Sequence, residues 1–240
     1  MNYFKQSSII LVVLLISCLL QQTHGHGMML DPPGRSSRWR YDDSAPKNYD
    51  DNALYCGGFW KQTQNGNKCG LCGDDYSDAL PRANELGGKY GQGVIVKSYY
   101  SSTLTALNVR ITANHLGYFS MDLCNLDEFN GESDDCFAKY QLEFIDGNKR
   151  LYIGSTTGNI EAIVQFPKGV SCKHCVLRWT YTAGNNWGIC ENGNGALGCG
   201  AQETFRSCAD ISIVHSLRGM LEPAKQMAVE LPVEVPEKVV

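Results

Sequence analysis

Residues 175–182 read CVLRWTYT. Val176, Arg178 and Thr180 alternate with Leu177, Trp179 and Tyr181, in a run rich in β-branched and aromatic residues. Successive side chains of a strand point to opposite faces, so this period-two pattern reads as one strand. Working outward, residues 93–100 (GVIVKSYY), 104–112 (LTALNVRIT), 117–123 (GYFSMDL), 162–166 (AIVQF) and 205–214 (FRSCADISIV) carry the same signal. Glycine and asparagine clusters at 184–186 and 192–195 read as turns between them. Many short strands with irregular turn spacing predict an all-β sandwich with large loops. Residues 26–52, rich in Pro, Arg, Asp and Ser, show no period and read as an extended, loop-like segment. Residues 56–93 are glycine-rich, which fits turns and short helical pieces.

The chain has 240 residues, 43% of them hydrophobic and 19% charged, enough for one large domain with a real core. The formal net charge is -4, so no basic excess exists to carry nucleic-acid binding. Residues 1–25 read as a secretory signal peptide: Lys5 is the basic start, and residues 9–20 (IILVVLLISCLL) form an apolar run too short to span a membrane comfortably. Thr23 and Gly25 suit cleavage after Gly25, which makes His26 the first residue of the mature chain. The domain is then expected over 26–216, with a flexible, aromatic-free tail over 217–240. A secreted, extracellular protein with no membrane attachment after cleavage is expected.

Cleavage removes Cys18 and leaves an even set: Cys56, Cys69, Cys72, Cys124, Cys136, Cys172, Cys175, Cys190, Cys199 and Cys208. In an oxidising compartment these read as disulfides, with pairing left open. The Cys69/Cys72 and Cys172/Cys175 pairs have the spacing of zinc ligands, but they lie far apart in a chain whose other cysteines also seek partners.

A terminal histidine offers a metal two nitrogens, its α-amino group and its Nδ1. A second imidazole completes a nitrogen-rich, tetragonal donor set of the kind that favours Cu(II). The amine titrates near ~8, so affinity is expected to fall in acid. The second imidazole has three candidates. His115 sits in a turn between two strands, His174 lies inside a Cys-x-x-Cys bend, and His215 ends a strand. Loop ends are where sites are usually built, which puts His115 first. No Gly-x-Ser-x-Gly elbow and no phosphate-binding Gly-Lys-Ser/Thr loop occurs. The loop carboxylates allow a glycosidase pair only by counting.

Residues 26–40 (HGMMLDPPGRSSRWR), 48–52 (NYDDN), 56–59 (CGGF), 68–74 (KCGLCGD), 87–90 (GGKY), 112–115 (TANH) and 202–211 (QETFRSCADI) together resemble the copper-dependent lytic polysaccharide monooxygenases. The resemblance is to the animal branch, auxiliary-activity family fifteen, related to the type-4 chitin-binding domain. It implies an immunoglobulin- or fibronectin-III-like sandwich with a flat face around one copper ion. It assigns His26 and His115 as the metal ligands, and Phe205 to the axial position, where a phenyl ring cannot bond to copper. Ala113 is implied as the small residue crowding the opposite axial side, and Glu203 as a polar group facing bound oxygen species. Trp39, Tyr41 and Tyr49 are candidates to stack on sugar rings. The implied reaction is oxidative cleavage of β-1,4 bonds in crystalline chitin, with cellulose as a second substrate. It uses O₂ or H₂O₂ and an external electron donor, a small molecule or a protein, and a monomer is expected. The competing readings are a noncatalytic chitin-binding protein and a copper-handling protein with the same ligands.

Overall fold

The CVLRWTYT run lies at the centre of the molecule. A computed structural model describes residues 26–215, so the expected signal peptide (1–25) and tail (217–240) lie outside the described residues. Twelve strands form among them: β1 His26–Asp31, β2 Lys97–Tyr100, β3 Leu104–Ala113, β4 Tyr118–Asn125, β5 Tyr140–Gln141, β6 Glu143–Phe144, β7 Leu151–Tyr152, β8 Gly158–Gln165, β9 Cys172–Thr182, β10 Trp187–Ile189, β11 Gly195–Leu197 and β12 Thr204–Val214. Two short α-helices, α1 Phe59–Gln64 and α2 Asp134–Lys139, and one 3-10 turn, Arg38–Arg40, lie in the loops. One sheet has the order β1-β3-β8-β6. The other has the order β2-β12-β9-β4-β5, with β7 also on β4. β10 and β11 form a separate hairpin. The chain is an all-β, immunoglobulin-like sandwich, with pairing antiparallel except between β12 and β2.

The alternation in β9 sorts chemistry, while burial is complete on both sides. Leu177, Trp179 and Tyr181 face the sandwich core with Phe119, Met121, Val109, Ile111 and Phe205. On the opposite face Val176 packs with Cys72, Cys124, Cys136, Phe137 and Cys208 in a smaller apolar cluster. Arg178 lies 3.9 Å over the Phe137 ring of that cluster, and Arg178 and Thr180, the polar half of the pattern, are only 7% and 8% exposed.

The segment 26–52, read as loop, begins with a strand. HGMMLD shows no period because Gly27, Met28 and Met29 are all buried. Gly27 fits where a Cβ would stand 2.7 Å from Ile111 Cδ1 and 2.9 Å from Trp179 Cη2. β1 therefore lies close over the core, and its first residue is delivered to the end of the sandwich.

All ten cysteines of 26–215 are paired: Cys56–Cys69, Cys72–Cys208, Cys124–Cys136, Cys172–Cys175 and Cys190–Cys199. The zinc alternative has no thiolates left. Cys72–Cys208 closes a separation of 136 residues, worth roughly 5 kcal/mol in the chain-entropy account.

Candidate metal centre at the strand ends

The first residue of β1 and the last of β3 meet. His26 pairs with Ala113 in the ladder, and the Thr112 hydroxyl donates to the His26 carbonyl at 3.3 Å. Asn52 braces both strands: its carbonyl accepts from the Gly27 amide (3.0 Å) and its Nδ2 donates to Thr112 Oγ1 (3.1 Å). β3 then turns sharply through 114–117. Asn114 Oδ1 accepts from the Leu116 amide at 2.6 Å, and Leu116 and Gly117 adopt φ of +58° and +82°. Only glycine fits at 117, because a Cβ would stand 2.0 Å from the Thr182 carbonyl oxygen.

This turn holds His115 from both sides of its backbone. Its N–H donates to the Tyr181 hydroxyl at 2.8 Å, and its carbonyl accepts from the Gly184 amide at 2.8 Å. Burial pushes the Tyr181 phenol up to about 12, opposed by the His115 amide and helped by the charge of Glu203.

The imidazole of His115 is 9% exposed. Its Nδ1 lies 3.3 Å from Glu203 Oε2. An ionised carboxylate only accepts, so it selects the tautomer with the proton on Nδ1 and the lone pair on Nε2. That Nε2 is buried and has no hydrogen-bond partner. A buried acceptor left bare costs about 1–3 kcal/mol, and a metal ion is the partner that an imidazole lone pair suits best. The donor set here, an imidazole nitrogen beside the strand that His26 begins, fits copper.

Glu203 is 5% exposed and turned toward the ring of His115. Phe205 is fully buried, stacked on Tyr181 at 5.5 Å and tilted toward Tyr55 at 6.3 Å. Ala113 is partly buried, opposite His26. The other two histidines are held elsewhere. His174 Nε2 lies 2.7 Å from Asp210 Oδ1, and His215 Nε2 lies 3.0 Å from Ser171 Oγ.

The three aromatic residues expected on sugar rings differ in setting. Trp39 is pinned: its Nε1 donates to Asp51 at 3.1 Å, Tyr49 meets it edge-on at 5.3 Å, and Arg40 covers it at 4.9 Å. Tyr49 is 74% exposed, three residues before Asn52. Tyr41 borders a 600 Å³ hollow with Leu30, Asp31 and Lys97, at the end of β1 away from His26.

Several exposed aromatic residues, Trp60, Tyr152 and Trp187 among them, escaped the sequence reading, and Trp187 is the one joined to the His115 turn. Trp187 opens the β10–β11 hairpin and is 67% exposed, its indole packed closely against Gly195. The Gln202 side chain grips both backbone groups of Asn186 (3.1 and 3.0 Å), and Gly184 hooks the His115 carbonyl, so the hairpin is continuous with the His115 turn. Its sequence signal was the tryptophan itself, set among turn residues.

A family model described as lytic polysaccharide mono-oxygenase, cellulose-degrading, matches residues 26–211. Among solved structures the chain is similar to an AA15 lytic polysaccharide monooxygenase from Thermobia domestica in the Cu(I) state. The identity is 42% and the TM-score 0.75, covering 78% of this chain and 98% of that one. A chitin-binding domain from Burkholderia pseudomallei (11% identity, TM-score 0.43) and a copper complex of a cellulose-active lytic polysaccharide monooxygenase (13%, 0.38) each cover 80% of this chain and 100% of their own. Both are too distant to bear on the site. A search of curated proteins found no match.

Proposed function

From the premise that the chain belongs to the AA15 lytic polysaccharide monooxygenases, copper-dependent oxidative enzymes acting on polysaccharide, we propose that it is secreted and cleaves β-1,4 bonds of chitin. Cellulose is the second candidate substrate. The mature domain is 26–216, freed by cleavage after Gly25, with 217–240 as its tail. One copper ion is held by the amino group and imidazole of His26 and by Nε2 of His115. The observation that carries this reading is the buried, unpartnered Nε2 of His115 next to the strand that His26 begins.

When bound, copper supplies one-electron redox chemistry toward oxygen species. The chain supplies the rest. Glu203 keeps the His115 proton on Nδ1 and so keeps Nε2 basic. Phe205 and Ala113 would border the copper with carbon alone, leaving its ligand set to nitrogen. Tyr181 fixes the His115 backbone from beneath. Exposed Tyr49 offers a ring face to a sugar chain lying across the strand ends, and Trp39 backs it. Electrons come from an external donor, a small molecule or a protein, and the enzyme works as a monomer.

The test is direct. The chain is produced with His26 as its first residue, loaded with Cu(II), and supplied with ascorbate and chitin. Oxidised chito-oligosaccharides in the mass spectrum are expected. One extra residue ahead of His26 converts the amine to an amide and should abolish them. No product from chitin or cellulose, with copper bound, overturns the reading. Product from cellulose alone overturns the chitin assignment.

A further inference from the structure

We propose that the outer face of the six-stranded sheet carries a binding site for a tetrahedral oxyanion, a phosphate or sulfate group, free or as an ester on a sugar. The site lies on the face opposite the core that carries Trp179, Tyr181 and Phe205. Strand register builds it. Arg206 on β12 pairs with Thr180 on β9, and Arg178 on β9 pairs with Asp122 on β4. Two guanidinium groups and a hydroxyl are thereby gathered on one face within two residues of each other.

The hydrogen bonding of this cluster is incomplete. Arg178 gives Nε and Nη2 to Asp122 Oδ2 (3.2 and 3.0 Å) and lies 3.9 Å over the Phe137 ring. Its Nη1 has no hydrogen-bond partner, with Asp134 Oδ1 too far at 3.7 Å. Arg206 gives Nη1 to the Gly70 carbonyl at 3.2 Å, while its Nε has no partner. The Thr180 hydroxyl has none either. Three buried donors without acceptors, on side chains that border one cavity, cost free energy unless an acceptor arrives. An oxyanion brings several acceptor oxygens at once, and guanidinium groups match its geometry.

Charge points the same way. The cavity, about 380 Å³, is bordered by Arg178, Arg206, Lys149 and Arg150 against Asp122 and Asp134. The Asp134 side chain is 80% exposed, so water screens its share. Burial and the charge of Arg178 push the Arg206 guanidinium down to about 10, the mark of a cation short of counter-charge. The volume falls in the range of small-molecule sites. Tyr118, Arg150 and Thr182 also border the hollow under the β10–β11 hairpin, so the cavity has room beside it for a sugar carrying the anionic group.

The test is calorimetric titration of the copper-loaded protein with inorganic phosphate, inorganic sulfate and glucosamine 6-sulfate, against chloride at matched ionic strength. The Cu(II) spectrum is recorded at the final anion concentration, to separate binding at copper from binding here. Saturable binding is expected, weakened at least about tenfold by Arg206→Gln and by the near-isosteric Thr180→Val. Tighter binding of glucosamine 6-sulfate than of sulfate assigns the site to an ester, and equal or weaker binding assigns it to the free ion. If Arg206→Gln fails to fold, Thr180→Val decides. No saturable heat above chloride, or full binding by the folded variants, overturns the proposal.

Discussion

The Glu203 carboxylate and the His115 ring make a single unit, and their chemistry is decided by which nitrogen carries the proton. With Oε2 3.3 Å from Nδ1, removing the carboxylate frees the tautomer and weakens the lone pair on Nε2. Glu203→Ala is expected to lower Cu(II) affinity by about 10- to 100-fold, the usual effect of losing a partner of a metal-bound histidine. Glu203→Gln should recover most of it, because the amide oxygen accepts the same hydrogen bond. Competition titration with a chelator reads both, and unchanged affinity in Glu203→Ala would refute the role. The family resemblance assigns Glu203, two residues before Phe205, to the site. Spacing along a strand does not say which ring from another strand comes within reach. The resemblance points Glu203 toward bound oxygen species, and its contact with His115 Nδ1 comes from the packing of the 114–117 turn.

Elements were legible where one side chain in two had a different character from its neighbour. β3, β4, β9 and β12 meet that condition, so their runs were readable within a few residues. β1 does not, since consecutive Gly27, Met28 and Met29 are buried. The β10–β11 hairpin was hidden for the opposite reason: its two three-residue strands, WGI and GAL, are too short for a period and almost wholly exposed. Such an exposed element gains little from folding by itself and is held by Cys190–Cys199 and the grip of Gln202 on Asn186. That makes Trp187 a solvent-facing ring on an element joined to the His115 turn. Trp187→Ala is expected to weaken adsorption to chitin particles by about 3- to 10-fold, the range of 0.5–1.5 kcal/mol typical of an aromatic stack. The Cu(II) spectrum and melting temperature should stay unchanged, because the side chain supports neither the ligands nor the core. Adsorption isotherms equal to wild type would remove the hairpin from the binding face.

Across the whole molecule, long-range closure is what the sequence could not express. A buried ionic cluster ties five distant segments together. Arg35 binds Asp210 through two hydrogen bonds (2.8 and 2.7 Å), pairs with Glu132 at 2.6 Å and donates to the Asn84 carbonyl at 3.0 Å, while His174 meets Asp210 at 2.7 Å. Arg35 and Glu132 each read alone as an ordinary surface charge, and only the fold removes Arg35 and Asp210 from water, leaving them 5% and 3% exposed. Burial pushes the Asp210 carboxyl up, but hydrogen bonds from Arg35 and His174, with their charges, outweigh it and hold it below the usual carboxylate range. The unfolded chain therefore takes up this proton before the folded one does. The stabilisation is complete above the ordinary aspartate value of about 4 and drains away as pH falls from there toward the lower folded value. Asp210→Asn should cost about 3–5 kcal/mol at pH 7, since it leaves Arg35 buried with half its charge partners. In denaturant titrations between pH 7 and pH 2.5, the gap between wild type and variant should hold steady down to about pH 4 and narrow below it. Other carboxylates titrate in both proteins and largely cancel in that difference. A gap that stays constant to pH 2.5 would mean that Asp210 acts through its shape and hydrogen bonds alone, and that its charge does not hold the cluster together.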